Sequence, residues 1–395
     1  MADTVSLELT TASHQPRAAD VVIVGGGVIG VSIAWHLMES GVRNIVVVER
    51  SDLGSGSSAK PLGGVRANFS DPSNIALGQR SLQKFSVFPE KFGVDIGFRR
   101  VGYLFLGRTE EACESMAEAV QLQNDMGVRS SMVTPEEAGQ LNPLVHVQAL
   151  LGASYSPDDG YARPSQVVHG YSKSAAQGGV TFLDRTQVLS IDTTAGAVSA
   201  VTTSRGEIRT PTVICCAGAW SAGIGEMAGV ELPVTPVRRL IGFSAEGPTP
   251  LPTIPFTLDL QTTLYFHNSR DGLLLGISHD QEPCFCREFS YEWMEEFRAA
   301  ARICAPTLSK TEILGGWAGL YENTPDRNAL IGEAADVSGF FYATGFSGHG
   351  FLQAPAVGEL VTDMYHGRQS FMDPSPFSID RFTQNSSVRR ETNII

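Results

Sequence analysis

The 395-residue sequence predicts an α/β fold in two parts. The first is a Rossmann-like domain opened by a β-α-β unit; the second is an α+β domain built on a mixed or antiparallel sheet. Three observations carry this. An apolar run, Val21–Val24, passes through glycines into a helix pattern and then into a second apolar run, all within about 30 residues. With 42% hydrophobic and 18% charged residues, a chain of this length can fill more than one core. Residues 231–320 then change character, with several strand patterns and one covering helix.

Residues 1–19 are polar, include Asp3 and Glu8, and read as a flexible arm with no secretory leader. After the strand Val21–Val24, a helix is expected from about Val28 to Ser40, stopped by Gly41. The continuous apolar run Asn44–Glu49 suits a parallel strand buried on both faces. Gly54–Gly64 is too polar and glycine-rich for a regular element. Helices follow over Pro72–Phe88, Glu110–Met126, Pro135–Leu141 with Thr134 as cap, and Arg163–Gln177. Arg99–Gly107 reads as a strand between the first two. Alternation from Val180 to Arg209 suggests a small β-meander, and Thr212–Cys216 a buried strand entering the turn Ala217–Ala219. Strands are expected at Val234–Ser244, Phe256–His267 and Gly272–Ile277, before the helix Tyr291–Cys304. A strand at Phe340–Thr344 and a helix at Phe351–His366 close the pattern. The first domain therefore takes 20–90, 150–230 and 320–370, the second 91–149 and 231–319, and 371–395 forms a tail.

The balance of 29 Lys+Arg against 42 Asp+Glu gives a net charge of −13. Such a surface repels phosphate backbones, and no basic run exists, so a nucleic-acid partner is not expected. No apolar stretch approaches a membrane span. Six cysteines do not make a disulfide framework, and a reducing, cytoplasmic setting is expected.

Gly25-Gly26-Gly27-Val28-Ile29-Gly30 matches G-x-G-x-x-G between a strand and a helix, and Glu49 ends the next strand. Gly25 permits the turn, Gly27 the approach of a pyrophosphate, and Gly30 close helix–strand packing. The pyrophosphate would lie over the helix N-terminus, with Glu49 at the adenosine ribose, and Val28, Ile29 and Arg50 are further cofactor-binding candidates. The motif alone does not separate NAD from FAD. Its early position and the second Gly/Ser-rich loop favour FAD, which stays bound and needs contacts from distant segments.

Four blocks then resemble the D-amino acid oxidase, glycine oxidase and sarcosine oxidase superfamily of FAD-dependent amine oxidoreductases. They are VVIVGGGVIG…VVVER (21–50), GSGSSAKPLGGVRANFS (54–70), GLYENTPDRNALIG (319–332) and GFFYATGFSGHGFLQAPAVGE (339–359). The wording is most similar to sarcosine oxidase β subunits and L-proline dehydrogenase-like proteins. The resemblance implies a glutathione-reductase-type FAD fold of the amine oxidoreductase subgroup. It places Ser57, Ser58, Lys60, Gly63 and Gly64 around the flavin, Val188 at the adenine, and Gly218 with Trp220 at the pyrophosphate and ribose. It also places the loop of Gly345, Gly348, His349 and Gly350 beside the isoalloxazine, where the helix opening at Phe351 stabilises the reduced ring.

Departures from the pattern are informative. Gly319 stands where monomeric sarcosine oxidases carry a flavin-linking Cys, and Lys60 where histidyl-linked relatives carry His, so noncovalent FAD is expected. Pro164 stands where heteromeric relatives attach a second flavin, so a partner subunit is possible but not indicated. Two lysines of monomeric sarcosine oxidases are missing, one in the strand Gly272–Gly276 and one at Leu352. The first loss bears on O₂ as electron acceptor, unless Lys60 supplies the charge; the second leaves Arg66 as the candidate carboxylate anchor.

The implied reaction is oxidation of an amine or amino acid C–N bond, with hydride passing to flavin N5, an imine that can hydrolyse, and O₂ or another acceptor reoxidising the flavin. Such chemistry needs positioning more than a strong base. His349, Tyr265 and Lys60 are the catalytic candidates, and Arg66, Tyr265, His267, Tyr321 and His349 the substrate-binding ones. For Tyr265 and Tyr321 the alternative is core packing, for His267 a solvent-facing position, and for His349 a structural turn. Arg327 beside Asp326 reads as a structural ion pair. Cys284-x-Cys286 with His279 lacks a second ligand pair, and no metal is expected. Two other readings stay open: a tailoring enzyme for a larger amine scaffold, and a flavoprotein subunit of a heteromeric dehydrogenase.

Overall fold

The computed structural model describes residues 14–60, 62–245, 251–269, 272–278, 281–382 and 390–393. The run Val21–Val24 is fully covered because it is a central strand. Among the described residues six strands form one sheet, in the order Leu330–Glu333, Phe340–Thr344, Val213–Cys215, Val21–Val24, Ile45–Val48, Thr181–Leu183. All pair in parallel except the edge strand Leu330–Glu333. The strand Thr181–Leu183 thus joins the main sheet, and the meander is confined to Val188–Thr194, Ala197–Thr203 and Gly206–Arg209.

One face of this sheet is covered by the helices Val28–Glu39, Pro164–Gln177 and Gly350–Tyr365. Val28–Glu39 is apolar nearly all round, as expected of a helix enclosed on every side. Gly358 lets it approach Gly350–Tyr365 closely, since a Cβ there would lie 2.4 Å from Ser32 Oγ. The helix expected over Pro72–Phe88 ends at Ser86, and a short second helix, Phe88–Phe92, follows with Pro89 in its first turn. Thr134 caps Pro135–Leu141 in a capping box with Glu137.

The second sheet has eight strands among the described residues. Their order is Ile313–Asn323, Thr235–Ser244, Leu273–Ile277, Leu264–Asn268, Phe256–Asp259, Tyr103–Gly107, Gly152–Ser156, Ser131–Val133. Only the pair Phe256–Asp259 and Tyr103–Gly107 is parallel. The segment 256–267 is a hairpin of two strands instead of one. Gly152–Ser156 and Ile313–Asn323, at the expected domain borders, both belong to this sheet. The helix Met294–Cys304 covers it through Phe297, Ala300, Ala301 and Cys304.

Both chain ends correct the sequence reading. Of the arm, residues 1–13 lie outside the described residues, but Ala19 N–H donates to Arg209 O (2.9 Å) and Gln15 Oε1 accepts from Thr203 (2.7 Å). Of the tail, residues 383–389 and 394–395 lie outside the described residues. Residues 371–382 are folded down, with Phe377 buried and Arg381 paired to Asp326. Glu391 and Asn393 are 1% and 5% exposed, so this stretch is packed, not trailing. The sequence hid this because the anchoring partners are polar groups far away in the chain. Among the described residues no helix is long and apolar enough to cross a membrane.

Candidate active site

The glycine turn is built as its spacing predicts. Gly25 has φ +114° and its Cα faces the Cys216 carbonyl, where a Cβ would lie 2.3 Å from the oxygen. At Gly30 a Cβ would lie 2.0 Å from Gly25 O, so the helix rests directly on the turn. The helix has no side-chain cap of its own at Gly27. Ser58, from the polar loop, supplies one by accepting from Val28 N–H (2.8 Å). That loop is therefore ordered by its contacts: Ser57 Oγ donates to Leu320 O (2.7 Å), and Gly64–Val65 pairs with Gly160–Tyr161. Glu49 accepts from Gly26 N–H (2.9 Å) and Ser51 N–H (2.8 Å), fixing its carboxylate beside the turn.

From this turn a single cavity runs between the two sheets. Its first end is lined by Gly25, Gly27, Glu49, Arg50, Val188 and Trp220, and Arg50 lies over the Trp220 ring at 3.7 Å. Its far end is lined by Arg66, Tyr265, Tyr321, Gly348 and His349. Val28, Ile29, Ser57, Ser58, Lys60, Gly63, Gly64, Gly218, Gly350 and Phe351 line the stretch between. The residues fit FAD: an anion-binding turn at one end, a ribose-side carboxylate, and a channel continuing to a second helix N-terminus at Gly350.

Three predicted residues do not line it. Gly30 packs on the turn from behind, as its expected role requires. Gly345 faces Thr324, whose Cγ2 would lie 2.5 Å from a Cβ there. His267 is the substantive correction. It is 2% exposed between the rings of Tyr161 (4.6 Å) and Phe256 (4.7 Å), and its Nε2 meets Leu62 O at 3.1 Å. Burial lowers its pKa to about 4, so it is a neutral core histidine. Residues 265 and 267 share a strand face, but only Tyr265 reaches the cavity.

Arg66 reaches the cavity wall, but its fork is turned away from the role expected of it. Nη1 donates to Asn68 O (3.3 Å) and Oδ1 (3.1 Å), while Nη2 donates to Asn393 O (2.5 Å) and meets His349 Nε2 at 3.2 Å. Arginine has no lone pair to offer, so Nε2 of His349 is the acceptor. Burial and the Arg66 charge hold His349 well below the ordinary histidine range, and its ring sits edge-on to Phe69. Burial also raises the Tyr265 and Tyr321 phenols, which stay protonated and can donate. Asp326 pairs with Arg381 at 2.8 Å, not through its neighbour Arg327. Cys284 and Cys286 are free thiols; His279 lies outside the described residues.

Among the cavity residues that sequence reasoning missed are Arg239 and Glu322. Arg239, 5% exposed, lies 5.3 Å over the Tyr321 ring, and nothing in the strand pattern Thr235–Ser244 marks it. Glu322, next to Tyr321 in a quoted block, accepts from Thr344 Oγ1 (3.0 Å) and from the N–H groups of Gly345 and Phe346. A carboxylate within that apolar strand was the available signal. Burial outweighs those hydrogen bonds and pushes its carboxyl up to about 7. A carboxyl raised on folding stabilises fully below its ordinary value, and that contribution is lost as pH rises through about 7. The melting temperature of Glu322→Gln minus that of the parent should therefore rise between about pH 5 and about pH 8. A difference that does not change with pH would refute this; Asp159, also raised to about 7 by burial, and the buried histidines with lowered pKa act alike in both proteins.

Comparison with known proteins agrees with this geometry. The family model described as DAO, FAD dependent oxidoreductase, matches residues 20–364, and the chain belongs to that family. The solved structure of L-proline dehydrogenase from P. horikoshii superposes with a TM-score of 0.88 at 29% identity, covering 93% of this chain and 99% of that one. Glycine oxidase of Geobacillus kaustophilus is 29% identical over 376 residues, covering 92% of this chain and 97% of that protein. The 4-methylaminobutanoate oxidase (formaldehyde-forming) of Paenarthrobacter nicotinovorans is 29% identical over 395 residues, covering 96% of this chain. The chain spans only 48% of that oxidase, and 42% to 46% of several other curated relatives. The fold is thus a Rossmann-like FAD domain with a substrate domain on a mixed sheet.

Proposed function

We propose that this protein oxidises the C–N bond of a small amine or amino acid, with FAD as the resident cofactor. The observation that carries the reading is the single cavity joining the glycine turn to the pocket of Tyr265, Tyr321, Arg239 and His349. When bound there, FAD supplies the two-electron acceptor for hydride leaving the carbon next to nitrogen. The side chains do the rest by position and charge. A hydride donor must be the neutral amine, and the guanidinium groups of Arg66 and Arg239 on the wall disfavour the ammonium form. Tyr265 and Tyr321 offer phenol donors to a polar substituent. His349, neutral with Nε2 engaged by Arg66, has no free lone pair there for base chemistry and serves to hold the wall. The imine product then hydrolyses in water.

Noncovalent binding is the natural state here. Gly319 lies against Lys60, whose Cβ would be 2.9 Å from a Cβ at 319, so both positions that could carry a linking residue are adjacent and unable to link. Acid precipitation should leave all the flavin in the supernatant; flavin in the pellet would overturn this.

The decisive experiment is anaerobic. Sarcosine, L-proline, glycine, D-alanine and 4-methylaminobutanoate are added separately to the holoprotein, and the flavin band is followed. Bleaching by one of them supports the reading, and admitting air then separates oxidase from dehydrogenase. A bound flavin reduced by none of them would reject the small-amine reading. The engaged fork of Arg66 favours a second reading in that case, an amine on a larger scaffold.

A further inference from the structure

A densely bonded polar cluster lies just behind the cavity wall, around residues from the region that reads as a tail. The Glu391 carboxylate accepts from Ser70 N–H (2.9 Å), Ser70 Oγ–H (2.6 Å), Asp71 N–H (3.1 Å), Asn74 Nδ2 (3.0 Å) and Asn393 N–H (2.8 Å). Thr392 N–H donates to Ser70 Oγ (2.9 Å) and Asn393 Nδ2 to Asn68 O (3.1 Å). These bonds set the Asn393 carbonyl against Arg66 Nη2 at 2.5 Å. Glu391 also supplies negative charge near Arg66, as does Asp159, held by Ala67 N–H at 2.9 Å. Both terminal nitrogens of Arg66 are therefore engaged, and its charge is answered from within the protein.

We propose that Asn393, held in place by Glu391, sets the specificity of the site: its main-chain carbonyl occupies an Arg66 donor that a substrate carboxylate would otherwise take, and Glu391 supplies the counter-charge. The inference rests on the reading of this cavity as the amine site. It narrows that reading to amines recognised without an Arg66–carboxylate pair. The logic is one of substitution: a buried guanidinium demands acceptors and a counter-charge, and whichever group supplies them excludes a competitor. A bidentate carboxylate would need the same donors, in a place where Glu391 already lies close to the Arg66 charge.

Acetate is the probe, titrated by calorimetry and by perturbation of the flavin spectrum into the holoprotein and into a chain ending at Arg390. The shortened chain loses the Asn393 carbonyl and the Glu391 charge together. It should bind acetate about tenfold more tightly than the parent, the size expected for one charge-assisted hydrogen bond regained. The blocked peptide Arg-Glu-Thr-Asn, added in trans, should reverse the gain, and the same peptide with Gln for Glu should not. Equal acetate affinity in the two proteins would overturn the proposal. Should the shortened chain not fold, Glu391→Gln in the full chain decides: tighter acetate binding supports the proposal, unchanged binding rejects it. Acetate binding does not depend on amine turnover. A failure of the amine reading would therefore appear as a flavin no amine reduces, with the acetate difference intact.

Discussion

Gly30→Ala should yield a protein that purifies without flavin. The added methyl would lie 2.0 Å from the Gly25 carbonyl oxygen, a backbone atom that cannot swing aside. The helix must lift off the turn, and the lift opens the cradle whose N–H groups and dipole meet the pyrophosphate. FAD affinity should fall at least about 100-fold, equivalent to losing two or more good hydrogen bonds. The check is the flavin-to-protein absorbance ratio, followed by FAD titration of the apoprotein. Gly27→Ala separates the two ways of losing flavin. Its Cβ would meet only the Ser58 hydroxyl at 3.1 Å, on the cavity side. That apoprotein should melt near the parent temperature yet still bind FAD poorly, whereas Gly30→Ala should also melt lower. Full flavin occupancy in Gly30→Ala would remove the turn from the binding site.

The cradle was legible because its chemistry is local: turn, helix start and acidic residue all fall within one β-α-β unit. The far end of the cavity was legible only in part, since it is assembled from segments hundreds of residues apart. Tyr265 and His267 have the same strand face and similar sequence surroundings. What separates them is Tyr161 and Phe256 closing over the imidazole, a tertiary fact with no sequence periodicity. Arg66 lines the cavity but is not available to a carboxylate, because its acceptor is a main-chain carbonyl 327 residues away. The stretches 371–382 and 390–393 misled for the same reason. Their Ser, Pro and Arg composition suggests a solvated tail, yet their polar groups satisfy partners that would otherwise be buried unpaired. Apolar periodicity reveals what must be covered; it is silent on polar groups that must be matched.

Arg381 illustrates the point on the scale of stability, and Arg381→Ala should be among the most destabilising single substitutions in the protein. Nε and Nη2 pair with Asp326 Oδ2 (2.8 Å) and Oδ1 (3.0 Å), with side-chain exposures of 9% and 5%. The same guanidinium donates to the carbonyls of Phe377, Ser378 and Asn328, so one side chain binds the 375–382 segment to the turn after Asn323. Removing it strands a buried carboxylate held by Thr324 Oγ1 and Asn328 N–H at 3.1 Å each. Breaking a buried pair from one side costs about 3–5 kcal/mol, a fall in melting temperature of roughly 5–10 °C for a domain of this size. The double variant Asp326→Asn, Arg381→Ala should recover part of the loss, because it removes the stranded charge as well; additive losses would deny the coupling. The damage should reach the cofactor too. Thr324 N–H donates to Ser347 Oγ (3.2 Å), and Ser347 lies in the loop that carries Gly348 and His349 along the cavity. Loosening that turn should weaken FAD retention in Arg381→Ala at temperatures below its melting transition, where a purely global loss of stability would leave flavin affinity unchanged.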